Sequence, residues 1–454
     1  MNLDKSQKKT PKTGWHEQTQ SFFYSLELGW KSQLFVTTTG RNDWASQLAN
    51  SPQKSFFYPS VGVSWLPSST FNFPEKFNYL KIRASWASVA NPFPRELTIA
   101  THPYDDTISG WDDKSNYPIG QLYPERTKTW ELGFDARFLH GFTLSASWYR
   151  ADTYNQTFNP NLSASSGYSD IYIQTGHVRN TGVEASLGYD HQWKNWNWNS
   201  QFTFSWNKNK IIELCKEWYN PITEETITMN RLQISKLGRA KFILKEGGSM
   251  GDLYSTTDLR RDDKGNIEID EGGNVVVEDN LPDMKLGSVF PDYNLAWRNS
   301  VSWKNLNLGF LVTARIGGIV NSLTQANMDL FGVSEATAAA RDAGGALVNG
   351  RSLVNPETWY TAIASQGGIP QYYTYSATNV RLQELSLGYT IPRKWLHNVC
   401  SITVSFVGRN LWMMYCKAPF DPEAVASTNN FYQGMDYFMM PSTRNLGFNI
   451  NIKF

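Results

Sequence analysis

Cysteine is scarce: the chain holds three, Cys215, Cys400 and Cys416, with no C-x-x-C pair and no zinc spacing. An odd count excludes a fully paired disulfide framework, and the three read as isolated small apolar residues. Histidine is nearly as sparse. His16, His102, His140, His177, His191 and His397 make no H-E-x-x-H or H-x-x-E-H pattern and read as solvated or interfacial. There is no G-x-S-x-G and no phosphate loop, so no catalytic constellation, metal or cofactor is expected. Charge is low as well. Charged residues are 18% of the chain, against about 25% in a soluble domain. With 42 Lys and Arg against 41 Asp and Glu, there is no electrostatic case for nucleic acid. No stretch nears the roughly 18 consecutive apolar residues of a membrane helix. The opening MNLDKSQKKTPKTGW is polar and basic without an apolar core, so it is not a secretory signal peptide.

What is abundant is aromatic: 18 Trp, 22 Tyr and 25 Phe make 14% of the chain. A soluble protein buries such rings and coats itself with charge. A transmembrane β-barrel turns them outward as an apolar band with girdles and keeps a polar interior. The pattern favours the barrel. From Asn195 to Asn207, Trp196, Trp198, Phe202, Phe204 and Trp206 share one parity, and Asn197, Asn199, Gln201, Thr203 and Ser205 share the other. In a strand these sets face opposite sides of the sheet. Trp130 to Phe138, Phe142 to Trp148, Val183 to Tyr189, Leu306 to Ile316, Leu385 to Ile391 and Leu446 to Phe454 repeat the alternation. About 13 such strands are expected, many with the roughly 9–11 residues that a tilted membrane strand needs.

The connections between strands alternate short and long. Short ones fall near Trp30–Ser32, Pro67–Asn78, Leu139–Gly141, Gln192–Lys194, Lys304–Asn305 and Arg393–Val399. Long ones fall near Arg41–Lys54, Ala87–Glu125, Asp152–Asn180, Lys208–Phe290, Gly318–Ala377 and Trp412–Ser442. Short periplasmic turns and long extracellular loops are the habit of outer-membrane barrels. Helix is expected only inside one long loop, at Asn355-Pro356-Glu357 and from Glu335 to Gly345, the latter ended by Gly344. If the last strand descends, so does the first of an odd set. Residues 1–20 are then an extracellular loop remnant, and 21–454 are part of a barrel entered midway.

Several ordered segments resemble the SusC/RagA family of TonB-linked outer-membrane proteins. They include LYPERTKTWELGFDARF, PDYNLAWRNSVSWKNLNLGFLVTARIGGIVNS, ATNVRLQELSLGYTIPRKW, SFVGRNLWMMYCKAPFDPE and GMDYFMMPSTRNLGFNINIKF. The resemblance implies a roughly 22-stranded barrel holding an N-terminal plug. It also implies energy from TonB, a SusD-like lipoprotein lid, and import of oligosaccharides or peptides in the outer membrane. The chain departs from that pattern in lacking signal peptide, TonB-contacting segment, plug and the remaining strands. The expectation is therefore about 13 C-terminal strands with no plug domain, unable to transport alone and reaching TonB only through the missing part.

Two residue sets are singled out. Trp111, Tyr117, Tyr123, Trp359, Tyr372 and Tyr373 sit in long loops. There, rings can stack on sugar or hold a lid, or simply pack locally. Leu446, Phe448, Ile450, Ile452 and Phe454 form the closing alternating strand that resembles the signal read by the barrel-assembly machinery. Trp193, Trp196 and Trp198 bracket a short turn and read as periplasmic girdle. The acidic run from Arg261 to Asn274 lacks the spacing that wraps calcium and reads as a hairpin turn at Asp263–Asn266. The alternative to the importer is a soluble glycan-binding β protein using the same loop aromatics.

Overall fold

The computed structural model describes residues 16–454 apart from 50, 95–96, 98–103, 106–109, 112–115, 118–121, 159–169, 221–224 and 428–431. Its frame is one antiparallel meander of 13 strands, each paired with its sequence neighbours in the frame. The strands are β1 Thr19–Trp30, β2 Leu34–Ala45, β3 Ser55–Trp65, β4 Phe77–Asn91, β5 Glu125–Phe138, β6 Phe142–Phe158 and β7 Ile173–Trp193. They continue with β8 Trp196–Glu213, β9 Tyr293–Trp303, β10 Leu306–Ile316, β11 Asn379–Ile391, β12 Ser401–Cys416 and β13 Asn445–Lys453. The all-β fold and the strand number match the alternation of the sequence. No helix among the described residues is long and apolar enough to cross a membrane, which says nothing of strands.

Register turns the alternation into two surfaces. Val301 pairs with Leu308, Leu308 with Leu387, Leu387 with Phe406, and Phe406 with Phe448, so one apolar row crosses five strands. The other face is polar and curls around a cavity of about 550 Å³. Arg83 of β4 and Thr313 of β10 both line that cavity. On a flat sheet, six strand steps would part them by about 29 Å. Curvature therefore puts the apolar rows outside and the polar ones in a lumen, the arrangement of a membrane barrel. Inside, Tyr149 of β6 lies over Gly182 of β7, where a Cβ would meet the ring at 2.4 Å.

Strands outlast their hydrophobic pattern. β2 runs to Ala45, β6 to Phe158 and β8 to Glu213, beyond the loop starts expected at Arg41, Asp152 and Lys208. Backbone pairing continues above the bilayer, where the outward face meets water and no longer needs apolar side chains.

The last three long connections fold together into a cap. A four-stranded sheet joins Arg231–Leu237, Ala240–Lys245, Asp252–Ser255 and Met284–Ser288. Phe242, Leu253 and Val289 of one connection pack with Leu323 of the next and Met435 of the last. The one-turn helix α1, Pro67–Thr70, lies in a short connection. The cap carries α2 Leu323–Leu330, α3 Glu335–Asp342 and α4 Pro356–Ala364. Asn355 caps α4 through Oδ1, which accepts from the amide of Glu357 at 2.8 Å, and Gly344 follows α3 at φ +76°, as the residues predict. Helix α2 was not foreseen; Ser322 caps it by accepting from the amide of Gln325 at 2.9 Å.

Candidate functional site

The candidate site is the lumen wall together with the cap above it. Inward positions of the strands supply short polar side chains: Ser145, Ser147, Ser186, Thr203, Ser205 and Asn294. They are hydrogen-bonding groups without net charge, suited to a hydrated passage. Charge enters through Arg83, Glu184, Arg315 and Glu423. Arg83 donates to Asp135 at 2.7 Å and lies 3.6 Å from Glu131, while Ser145 donates to the other oxygen of Asp135 at 2.6 Å.

The rim of the lumen is pinned by Arg381 of β11. Its Nη2 and Nη1 donate to the two oxygens of Asp421 at 2.8 and 3.2 Å, a bidentate pair, and Nη2 stands 3.2 Å from Glu423. Nε donates to Asn379, whose amide donates in turn to Glu423 at 3.3 Å. The last long connection is thus tied down onto the wall, and Glu423 reaches into the cavity. Burial pushes the Asp421 carboxyl upward, but the Arg381 hydrogen bonds and charge outweigh it and hold the group below the usual range.

In the cap, Asp283 receives Nε and Nη2 of Arg231 at 2.6 and 2.8 Å, and Lys245 lies 3.0 Å away. The Arg231 hydrogen bonds outweigh the upward push of burial and bring its pKa down to about 2. The acidic run makes two tight turns. Asp262 accepts from the amides of Lys264 and Asn266, and Asp270 from that of Asn274. These carboxylates are spent on the backbone, and among the described residues no group of His, Cys, Asp or Glu is placed to hold a metal.

The loop aromatics fare unequally. Trp111 and Tyr117 fall in two-residue strands, Gly110–Trp111 and Asn116–Tyr117, and their side chains lie outside the described residues. Tyr123 is exposed. Trp359 and Tyr372 are half-buried, edge to face at 5.9 Å. Tyr373 must be corrected to a core residue: 2% exposed, it packs with Ala326, Ile363 and Ile369 and donates its hydroxyl to Asp329 at 3.0 Å. Burial raises its pKa, so the hydroxyl stays protonated. It presents no ring face to a ligand. Leu446, Phe448, Ile450 and Ile452 share the outward face of edge strand β13, and Phe454 follows it, 92% exposed. Trp193, Trp196 and Trp198 stand outward by the β7–β8 turn, with Trp196 stacked on Trp303 at 5.7 Å. His177 is neither solvated nor idle: its Nε2 lies 2.7 Å from Asp152. Residues 1–15 of the polar segment 1–20 lie outside the described residues, and Thr19 already opens β1. The Arg381 latch was missed in sequence, because its partners lie 40 and 42 residues downstream in an irregular loop.

An apolar outer face, a polar lumen and a folded cap define a membrane β-barrel wall of the transporter kind. The family model for the TonB-dependent receptor-like β-barrel matches residues 3–411, and the chain belongs to that family. Within it, the chain resembles SusC and RagA. It is 27% identical to TonB-dependent receptor P3 of Formosa agariphila over 96% of this chain and 45% of the relative. It is 21% identical to TonB-dependent receptor SusC of Bacteroides thetaiotaomicron, over 83% of this chain and 38% of that one. The RagAB peptide importer in its open-open state shares the fold, with TM-score 0.74 at 18% identity over 99% of this chain and 49% of that one. The chain thus spans between 38% and 49% of the length of these relatives. The family is one of outer-membrane transporters.

Proposed function

We propose that this chain forms part of the wall and the extracellular cap of an outer-membrane importer. The cargo is an oligosaccharide or a peptide, handed over by a SusD-like surface lipoprotein. The observation that carries the reading is the register: apolar rows outside, a polar lumen inside, and one cap built from three long connections. Likeness to SusC and to the RagAB peptide importer supports the cargo classes and the lipoprotein. Trp359, Tyr372 and Tyr123, with Trp111 and Tyr117, are the rings offered to cargo or lid.

On this reading the thirteen strands do not transport alone. Further strands close the wall, a plug fills it, and TonB acts through that plug. The β13 residues Leu446, Phe448, Ile450 and Ile452, with Phe454, are what the barrel-assembly machinery reads. No catalytic step is assigned.

The test is uptake of labelled oligosaccharides and labelled peptides by cells with and without the gene. Loss of uptake of one class, reversed by complementation and dependent on TonB, is the expected result. Unchanged uptake of both, with the protein present in the outer membrane, would overturn the importer reading.

A further inference from the structure

Toward the outer rim of the wall, the outward face of β5 to β8 changes character in successive rows. The row Leu132, Trp148, Val183 and Trp206 is apolar. The next is Trp130, Arg150, Thr181 and Lys208. The one after that is Lys128, Asp152, Arg179 and Lys210, and Arg126 stands above Lys128 beside Ser88. Each row rises about 5 Å on a tilted strand, which puts the basic rows at headgroup depth, just over a tryptophan girdle.

Five cations, Lys128, Arg150, Arg179, Lys208 and Lys210, face outward here against Asp152, with Glu213 at the upper rim, while Arg126 is half-buried on Ser88. Asp152 is only 9% exposed and acts as a strut. It receives Nε of Arg150 at 2.9 Å and Nε of Arg179 at 2.7 Å. Both guanidiniums are bound through Nε, and the Arg150 and Arg179 side chains keep 40% and 29% of their surface exposed. Lys128, Lys208 and Lys210 are exposed. Directly below lies an apolar groove of about 510 Å³ lined by Ile82, Ala84, Leu132, Phe134, Ala146 and Trp148.

We infer that this belt binds a lipid of the outer leaflet that carries anionic phosphomonoester groups, with its phosphates on the guanidiniums and lysines and an acyl chain in the groove. Oriented guanidiniums match phosphate geometry, and the groove below them matches an acyl chain and not a soluble anion. A peptide or polysaccharide would use the donors but leave the membrane-depth groove empty. The inference rests on the outer-membrane reading above.

The protein is extracted from its host's outer membrane in the form in which it is made, and placed in phosphatidylcholine nanodiscs with and without lipid A. The variant Lys128→Gln, Lys208→Gln, Lys210→Gln leaves the Asp152 strut intact. At about 1 kcal/mol per cation near a charged surface, retention of lipid A falls roughly a hundredfold. Neutralising Lys31 and Lys304 at the opposite end changes nothing. Equal retention by variant and wild type would overturn the inference. So would no preference for lipid A, or displacement by inorganic phosphate at millimolar level. Absence of the protein from the outer membrane would instead sink the reading on which it rests.

Discussion

At the scale of single residues, polarity alone does not separate a ligand contact from a core group. Tyr373 and Tyr372 are neighbours in one aromatic run, but the backbone turns one ring inward onto Asp329. Gly368, at φ +85°, makes room for that ring: a Cβ there would meet it at 2.4 Å. We expect Tyr373→Phe to destabilise the cap by about 1–3 kcal/mol, since Asp329 is left buried with one partner fewer. Cargo affinity stays unchanged once the cap is folded. Trp359→Ala should do the reverse, lowering cargo or lid affinity with little effect on cap melting. Calorimetry of the two variants separates the roles; a cargo defect confined to Tyr373→Phe would reinstate that ring as a contact.

Asp283 gives a pH signature on the same scale. Its folded pKa is about 2, below the roughly 4 of a free aspartate. The native cap therefore binds fewer protons than the unfolded one between these values. The stabilisation is full above about pH 4 and is lost as pH falls through about 2. Protease protection of the cap should differ between wild type and Asp283→Asn by a constant amount above pH 4, with the gap closing toward pH 2. A gap that persists at the acid limit would show that the carboxylate charge is not its source.

At the scale of elements, the strands were readable because period-2 alternation is forced wherever one face meets lipid and the other water. Turns and caps were readable from local chemistry, as at Asn355 and Gly344. What was not readable is what distance along the chain hides. The Arg381 pair with Asp421, the shared cap core of Leu323 and Met435, and the continuation of β6 past Asp152 depend on packing partners far away. Arg381 and Asp421 are 5% and 9% exposed. Breaking such a pair leaves an uncompensated buried charge, at a cost of about 3–5 kcal/mol. Arg381→Met should therefore release residues 417–427 and 432–444 from the wall, seen as faster amide exchange there and not in β11 itself. Unchanged exchange would assign the hold on this loop to the Val320, Ala377 and Ala418 cluster instead.

At the scale of the whole molecule, the sheet has two bare edges among the described residues. Every residue of β1 and of β13 is exposed. In a thirteen-strand meander these edges run the same way, so antiparallel closure needs an odd number of further strands between them. The same geometry gives a test of the membrane reading against a soluble sugar-binding one. Val312 faces outward at mid-strand, paired with exposed Trp297, and its neighbour Thr313 faces the lumen. A charge on the lipid face at mid-depth costs about 2–4 kcal/mol, while a lumen charge costs little. Val312→Arg should sharply reduce the folded fraction in the outer membrane, and Thr313→Arg should assemble normally. A water-facing sheet would tolerate arginine at both positions, because the outer face of Val312 would then already be solvated. Folded yield, measured by heat-dependent mobility shift of the two variants side by side, decides between them. Equal tolerance would return the tryptophan rows to the role of sugar platforms.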